Sequence, residues 1–401
     1  MRVHKAYRYE LDPNAEQRVL LAKSAGAARF AYNWGLARRK QAWQEEHRTL
    51  HAEALHRELN ALKATQFPWL YEVSKCAPQE ALRDLERAFE NFFKHRARYP
   101  KFKKKGKHDS FRLTGSIRVF PRAVQLPRLG RVRTKESTAK LQGRLLSATV
   151  SREADRWFVS LSVEAEIPDP QPPAGEAAAV DLGLTDFAVF PDGEKVDGPK
   201  PLARSLKRLR RLSRRQSRKR KGSANFKKAA RKVARLNRKI KNQRKDFLAK
   251  LSTRLAKIQR AVVIEDLAVK NLQQNKHLSR AIGDAGWGEF RRMLTYKTSW
   301  YGSELLVAPR FYASSKRCSG CGYVLPELPL SVRRWTCPQC GAEHDRDVNA
   351  ARNLLAWALE PEMIETTASS AGSHACGDRL RRNGLDPVYE QTVTEAGSLC
   401  G

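Results

Sequence analysis

The sequence predicts an α+β protein of several domains. Its 401 residues are enough for two or three hydrophobic cores. Runs of alternating apolar residues, typical of strands, are separated by long segments with the apolar spacing of helices. Four cysteines towards the C-terminal end have the spacing of a metal-binding ribbon. These features favour a globular chain with distinct helical, β-rich and metal-binding segments.

The composition of the chain indicates a nucleic acid partner. Lysine and arginine number 77 against 42 aspartates and glutamates, which gives a net charge of +35. Because so much like charge repels itself unless a polyanion neutralises it, we expect nucleic acid to bind. No run of about 18 apolar residues occurs, and the N-terminus lacks the apolar core of a signal peptide. We therefore expect no membrane partner and a cytoplasmic location, where thiols stay reduced.

The first 166 residues change from β to helical character and back. Residues 2–11 alternate apolar and polar side chains, which predicts a strand. Asp12 and Pro13 then suit the cap and first position of a helix, and helical spacing continues to about residue 95. Residues 109–166 contain short alternating runs separated by glycine and proline, as in a small antiparallel sheet or barrel. We interpret the opening strand as part of this sheet, with the helical domain inserted between them.

Residues 96–107, the basic track, combine positive charge with aromatic rings. Such a segment suits contact with a nucleic acid backbone, because its aromatic rings can stack on bases. A solvated basic linker is the alternative, and the overall charge of the chain favours nucleic acid. The candidate contacts are Arg98, Tyr99, Lys101, Phe102, Lys103, Lys104 and Lys105.

A second basic segment has the pattern of a helical hairpin. No acidic residue occurs from Lys200 to Lys245. Apolar residues recur every seven positions from Phe226 to Phe247, and a break at residues 222–225 separates two helices. Solvated coiled coils usually mix both signs of charge, so the single sign favours nucleic acid binding over a solvated face. The candidate contacts are Lys228, Arg231, Lys232, Arg235, Arg238 and Lys239.

The four cysteines predict one structural zinc ion. Cys318, Cys321, Cys337 and Cys340 form two C-x2-C pairs separated by 15 residues. A short apolar run typical of a strand, residues 305–307, leads into this ribbon. Zinc takes four tetrahedral ligands, and four thiolates leave no open position for water. Iron can occupy the same geometry, but zinc is the usual metal of such ribbons.

Three acidic residues are candidates for a catalytic magnesium site. Asp181 and Glu265 each follow a short apolar run typical of a buried strand, and Asp347 stands where a helical pattern begins. Carboxylates on rigid elements can bind Mg²⁺, and two such ions about 3.5–4 Å apart support phosphodiester hydrolysis. Taken singly, each acid is better explained as a turn or cap residue, and their spacing alone does not show that they meet. Asp266 and Asp345 are neighbouring acids that compete for the same roles.

A family resemblance indicates which of these acids are catalytic. The segments AVDLGL, VVIEDL and CSGC…CPQC followed by DRDVNAARN resemble the TnpB (OrfB) proteins of bacterial insertion sequences, which are similar to compact type V CRISPR effectors. The resemblance implies catalytic roles for Asp181, Glu265 and Asp347. Glu265 and Asp266 face opposite ways on a strand, so both cannot point into one site. We expect Asp345 to cap a helix or to pair with Arg346 or Arg333.

The same resemblance implies a fold and its domain boundaries. The nuclease domain is expected to be RNase H-like (RuvC) with an inserted zinc ribbon, and the wedge domain to be β-barrel-like with an inserted helical recognition domain. The expected boundaries are 1–11 and 108–170 for the wedge, 12–107 for the recognition domain, 175–310 and 345–360 for the nuclease including the basic hairpin 200–257, 311–344 for the ribbon, and 361–401 for a disordered tail.

The implied function is RNA-guided cleavage of double-stranded DNA beside a short flanking motif, which would promote maintenance of the transposon. A guide RNA from the transposon end and the target duplex are the implied partners of a monomeric, nucleoid-associated bacterial protein. A protein-only transposase is one alternative. Its Tyr–His type needs a His-x-His pair, which the sequence lacks, whereas a three-acid type would use the same metals without RNA. A catalytically silent zinc-ribbon repressor is the other alternative, although all three matching acids are present.

Overall fold

The computed structural model describes residues 1–360 and the strand Thr394–Ala396. The tail predicted to be disordered, 361–401, lies outside the described residues apart from that strand. The chain divides into two compact units, the first formed mainly by residues 1–167 and the second beginning at Pro168. Every helix among residues 1–360 is too short or too polar to cross a membrane.

The first unit combines a large sheet with a helical segment. Its elements are β1 (Arg2–Asp12), α1 (Ala15–Glu46), α2 (Ala52–Leu62), a 3₁₀ turn (Pro68–Glu72), α3 (Cys76–Phe93), β2 (Ser110–Leu113), β3 (Arg118–Phe120), β4 (Ala123–Leu126), β5 (Gly130–Thr134), β6 (Arg144–Glu153) and β7 (Arg156–Glu166). The sheet runs in the order β2-β6-β7-β1-β5-β4-β3.

The predicted opening strand is a central strand of this sheet. β1 is antiparallel to β7 from the Arg2–Glu166 pair to the Leu11–Trp157 pair, and it also pairs with β5. The helical segment α1–α3 therefore lies in the chain between β1 and the other strands. Helix and sheet side chains share one core, which includes Tyr9 of β1 and Leu36 of α1.

The start of α1 differs from the prediction. Asn14, not Asp12, is the cap: its side chain accepts from the Gln17 backbone N–H, while the Gln17 side chain accepts from the Asn14 N–H. Asp12 is the last residue of β1, because pairing with Arg133 of β5 keeps the chain extended there. The reciprocal capping box satisfies two backbone N–H groups, which an Asp12 cap two residues earlier would not.

The second unit contains a parallel sheet, a helical hairpin and a cysteine ribbon. Its elements are β8 (Gly175–Val180), β9 (Ala188–Val189), β10 (Lys195–Val196), α4 (Pro201–Ser217), α5 (Ala224–Ile258), β11 (Gln259–Glu265), α6 (Val269–Leu272), α7 (Ser279–Ala285), α8 (Trp287–Tyr301), β12 (Glu304–Ala308), β13 (Arg334–Thr336), β14 (Glu343–Asp345) and α9 (Arg346–Leu359). The last described strand, β15 (Thr394–Ala396), belongs to the first unit and pairs there with β1.

The parallel sheet has the order β12-β11-β8 and packs against α9. Ala179 of β8, Val263 of β11 and Leu354 of α9 belong to one buried cluster. Short apolar strands suit this position because both faces of a parallel sheet are covered. The sheet and α9 together position the acidic residues of the candidate site.

Candidate functional site

The parallel register of β8 and β11 places two predicted acids at the same edge of the sheet. Val180 is aligned with Ile264, and Asp181 and Glu265 are the next residue on each strand. Asp181 is fixed further by two backbone hydrogen bonds of 3.0 Å to Val189 of the β9–β10 hairpin. Asp347 lies in the first turn of α9, the helix that packs on this sheet.

The electrostatics of Asp181 connect it with the other two predicted acids. Burial, and then the negative charges of Glu265 and Asp347, hold the pKa of Asp181 well above its usual range. The positive charges of Arg346 and Arg333 act in the opposite direction. A poorly solvated carboxylate that two other carboxylates repel would be stabilised by a bound cation.

Glu265 is held by a serine that follows β12. Burial raises the pKa of Glu265, while a hydrogen bond donated by the Ser314 hydroxyl acts to lower it. Asp347 accepts a hydrogen bond of 3.4 Å from Arg333. Its other neighbour, Arg346, donates to the Pro329 carbonyl at 2.8 Å.

Asp266 is turned towards two arginines. Arg291 and Arg310 each donate to its carboxylate, the second at 2.6 Å. Although burial acts to raise it, these hydrogen bonds hold the pKa of Asp266 below its usual range. Two arginines therefore neutralise Asp266, which explains its charge by a structural role. Glu265 has no such arginine partner among the described residues.

Asp345 and Asp347 also differ in role. Asp345 is the cap of α9 and accepts from the backbone N–H groups of Asp347 and Val348 at 3.1 and 3.2 Å. Its ion-pair partner is Lys195 at 2.8 Å rather than Arg346 or Arg333. Although burial acts to raise it, Lys195 and the helix N–H groups hold the pKa of Asp345 below its usual range. The cap explanation considered for Asp347 is therefore wrong, because Asp345 occupies that position.

The four cysteines meet in a compact cluster. Their sulfur atoms all lie within 4.8 Å of one another, and the Cys318–Cys340 and Cys321–Cys337 pairs are 3.6 Å apart. Zinc–sulfur bonds of about 2.3 Å in a tetrahedron place sulfur atoms about 3.8 Å apart, so the four thiols fit a zinc ion. Among residues 1–360 this is the one cluster of cysteines, histidines and acids with such metal-ligand geometry.

The surroundings shift the pKa values of two ribbon cysteines in opposite directions. Although the Tyr323 backbone N–H acts to lower it, burial and the neighbouring thiols raise the pKa of Cys321 to about 12. Although burial acts to raise it, the backbone N–H groups of Cys340 and Gln339 lower the pKa of Cys337 to about 7. Sequence reasoning missed His344, whose buried Nε2 lies 3.1 Å from the Cys318 sulfur and whose ring contacts Trp335. Its position four residues after Cys340, in the strand that closes the ribbon, is the signal that could have identified it.

The basic track is docked on the helices of its own unit. Lys103 exchanges two hydrogen bonds with the Asn33 side chain, and its ammonium group lies 3.9 Å from the centre of the Tyr32 ring. The Tyr99 ring meets Phe89 edge-on, while the Phe102 side chain is half exposed. Whether the candidate residues of the track bind nucleic acid stays a prediction.

The basic hairpin has the two helices expected. α4 and α5 pack together, and Leu236 and Ile240 of the predicted seam are buried. Arg238 is half-buried, and the other five candidates are exposed: Lys228, Arg231, Lys232, Arg235 and Lys239. Their nucleic acid contacts also stay a prediction.

Comparison with known families matches three segments of the chain. Residues 160–276 match the OrfB_IS605 family, described as "Probable transposase". Residues 287–354 match "Cas12f1-like, TNB domain", and residues 1–48 match "Helix-turn-helix domain".

Whole-length relatives are similar to the chain in sequence. A Streptomyces pristinaespiralis protein named "Putative RNA-guided DNA endonuclease" is 42% identical over 99% of this chain and 96% of its own length. An Escherichia coli K12 protein named "Putative RNA-guided DNA endonuclease InsQ" is 34% identical over 88% of this chain and 92% of its own. The cryo-EM structure of the Cas12f1–sgRNA–target DNA complex has a similar fold, with a TM-score of 0.54, 13% identity, and coverage of 90% of this chain and 99% of that one.

These relationships define a class of insertion-sequence proteins with a mixed α/β fold. The chain belongs to the TnpB (OrfB) family.

Proposed function

We propose that this protein is an RNA-guided endonuclease that cuts double-stranded DNA beside a short flanking motif. One observation carries the proposal: Asp181, Glu265 and Asp347 come from distant parts of the sequence, yet aligned strands bring Asp181 and Glu265 to one sheet edge and the charges of Glu265 and Asp347 both act on Asp181. The names of the whole-length relatives support the same activity.

The three carboxylates are the proposed ligands of two Mg²⁺ ions. When bound, the ions would activate water and stabilise the leaving oxygen of a phosphodiester. Asp181 and Glu265 are fixed by the aligned ends of β8 and β11, and Asp347 by the first turn of α9. Arg333 and Arg346, whose charges act on Asp181, are placed to attract a phosphate group.

The expected domains are proposed with the boundaries that the family resemblance implies. The nuclease domain is the RuvC-like part of the second unit, the ribbon holds one structural zinc, and the wedge and recognition domains form the first unit. The proposed partners are a guide RNA from the transposon end and the target duplex, bound by a single chain in the bacterial cytoplasm. A net charge of +35 suits the many phosphate groups of a guide RNA and a target duplex.

Co-purification with RNA tests the proposal. The protein would be expressed beside its own flanking DNA, and the RNA retained at moderate salt would be sequenced. We expect a discrete RNA that runs past the end of the element, and Mg²⁺-dependent cleavage of a matching duplex by that complex. The Asp181→Ala variant should keep the RNA and lose cleavage, while Asp197→Ala, an exposed acid in the same unit, should keep both.

Three other results would contradict the proposal in different ways. Cleavage by Asp181→Ala would show that the acids are misassigned. Metal-dependent cutting without RNA would support a protein-only transposase. Discrete RNA with no cutting by the wild type would support a silent repressor.

A further inference from the structure

The Glu265 carboxylate is held by a side chain from outside the three proposed ligands. The Ser314 hydroxyl donates to its Oε1 atom, and Ser314 is only 4% exposed. Among the described residues, Ser314 is the one hydrogen-bond partner of this carboxylate. Ser314 lies 49 positions after Glu265, between the end of β12 and the first cysteine of the ribbon.

Two buried asparagines of α9 hold the backbone around Ser314. The Asn353 side-chain amide donates to the Ser314 carbonyl at 2.8 Å and to the Arg317 carbonyl at 2.6 Å. Asn349 donates to the Arg317 carbonyl at 2.7 Å, and its own Oδ1 accepts from the Ser319 N–H at 3.0 Å. Both asparagines are at most 2% exposed.

This arrangement connects the elements that carry the acids. Ser314 contacts Glu265 of β11 through its hydroxyl and α9, which carries Asp347, through its carbonyl. Since asparagines four residues apart lie on one face of a helix, both can reach the same stretch of backbone. Each of these carbonyl groups accepts a hydrogen bond from an asparagine amide. Moving the segment would break these bonds and leave polar groups without a hydrogen-bond partner, so the segment is held rigidly.

We propose that Ser314 is a positioning residue that holds the Glu265 carboxylate for metal binding, and that Asn349 and Asn353 fix Ser314 in place. The proposal rests on the metal site of the proposed function. The hydroxyl fixes one carboxylate oxygen and leaves the other for a cation. Partners of metal ligands act in this way elsewhere, and their loss typically weakens metal affinity or activity by about 10–100-fold.

Binding of Mn²⁺, a spectroscopic substitute for Mg²⁺, tests this proposal apart from activity. Electron paramagnetic resonance would measure the Mn²⁺ affinity of the intact RNA–protein complex for the wild type and for Ser314→Ala, Ser314→Thr, Ser315→Ala and Glu265→Gln. Zinc content and the melting temperature would be measured on the same samples. Ser315 is the matched control, because it is the next residue in the chain and the hydrogen bond to Glu265 comes from Ser314.

We expect Ser314→Ala to weaken Mn²⁺ binding by about tenfold with zinc content and melting temperature unchanged, and Ser314→Thr, which keeps the hydroxyl, to restore most of the affinity. If Ser314→Ala binds Mn²⁺ as tightly as the wild type while Glu265→Gln binds it more weakly, the positioning role of Ser314 is overturned but the metal site is not. Unchanged affinity in Glu265→Gln as well would overturn the proposed metal site itself. Loss of zinc from Ser314→Ala would show that the serine serves the ribbon fold rather than Glu265.

Discussion

At the scale of single residues, the start of α9 separates two aspartates that are two positions apart. Asp345 satisfies helix N–H groups and pairs with Lys195, so its charge is already compensated. The charge of Asp347 acts on Asp181. The same residue type therefore supports the fold at one position and the acidic site at the other.

Exchanging each aspartate for asparagine should separate these roles. Asp347→Asn should lower the cleavage rate more than about a hundredfold, since losing a metal ligand costs several kcal/mol of transition-state stabilisation. Asp345→Asn keeps a capping side chain and should retain most of the activity, whereas Asp345→Ala should lower the free energy of unfolding by about 1 kcal/mol. Single-turnover cleavage and chemical denaturation measure the two effects. Equal losses of cleavage in both asparagine variants would refute the division of roles.

The sequence motif was sufficient to nominate Asp181, Glu265 and Asp347, but not to assign their neighbours. The partner of Asp345 is 150 positions away in the chain, and only the fold brings Lys195 beside it. Ser314 was missed for the same reason, because a serine before a cysteine ribbon has no chemistry of its own until β11 is placed next to it. The two asparagines of α9 carried a signal in their four-residue spacing, which indicates a shared helix face.

At the scale of elements, Asp284 attaches the basic hairpin to the rest of the second unit. Its buried carboxylate accepts from the N–H groups of Leu202 and Ala203 at the start of α4, at 2.9 and 3.0 Å. Arg244 of α5 donates to the same carboxylate at 2.8 Å. One side chain therefore binds both helices of the hairpin to α7.

Removing this carboxylate should loosen the start of α4. We expect Asp284→Ala to lower the free energy of unfolding by about 2–3 kcal/mol, because two helix N–H groups and a guanidinium lose a charged partner. Amide hydrogen exchange at Leu202 and Ala203 should become faster. As a control, Asp246→Ala removes an exposed pair with Lys250 and should change stability by less than about 0.5 kcal/mol. Unchanged exchange in α4 would show that Asp284 does not hold the hairpin.

The cysteine ribbon should bind one zinc ion per chain. Metal analysis of purified protein should give about one zinc for the wild type and Cys76→Ser, and much less for Cys337→Ser, which removes a buried ligand from the cluster. Cys76 is a suitable control because its thiol donates to the Thr114 carbonyl in the other unit. Protein without zinc, or zinc retained in full by Cys337→Ser, would contradict the ribbon assignment.

The strands were more predictable than the helix boundaries. β8, β11 and β12 are short apolar runs, and each lies where the sequence predicted a strand. Helix α2 lies inside the segment predicted to be helical, but its boundaries were not predicted, although Leu55 and Leu59 carry helical spacing and are buried. The pairing of β1 with β7 joins residues more than 140 positions apart, and the shared alternating pattern was the signal for it.

At the scale of the whole molecule, the basic residues are concentrated in one segment of the sequence rather than spread evenly. Residues 200–245 carry no acidic side chain, so the field of the hairpin has a single sign along α4 and the first half of α5. By contrast, exposed basic residues of the first unit often have acidic partners, as in the Lys23–Glu72 and Arg144–Glu164 pairs. Basic side chains that neutralise phosphates release the cations condensed on nucleic acid, so a densely basic surface should make binding strongly dependent on salt.

Charge reversal on α5 should therefore change the salt dependence of RNA binding. The triple change of Lys228, Arg231 and Lys232 to glutamate should weaken binding. It should also reduce the slope of log affinity against log salt by about 0.7–0.9 for each phosphate group that the variant no longer neutralises. Filter binding with the co-purified RNA at several salt concentrations measures the slope.

A matched variant tests whether RNA binding depends on where the positive charge lies or only on the total charge of the protein. Reversing the exposed residues Arg57, Lys75 and Lys94 of the first unit alters the net charge equally. Because these residues lie outside the hairpin, we expect this variant to keep more of the affinity and of the slope than the α5 variant. If the two variants weaken binding equally, the total charge matters rather than its position. An unchanged slope in the α5 variant would leave these side chains as a solvated surface.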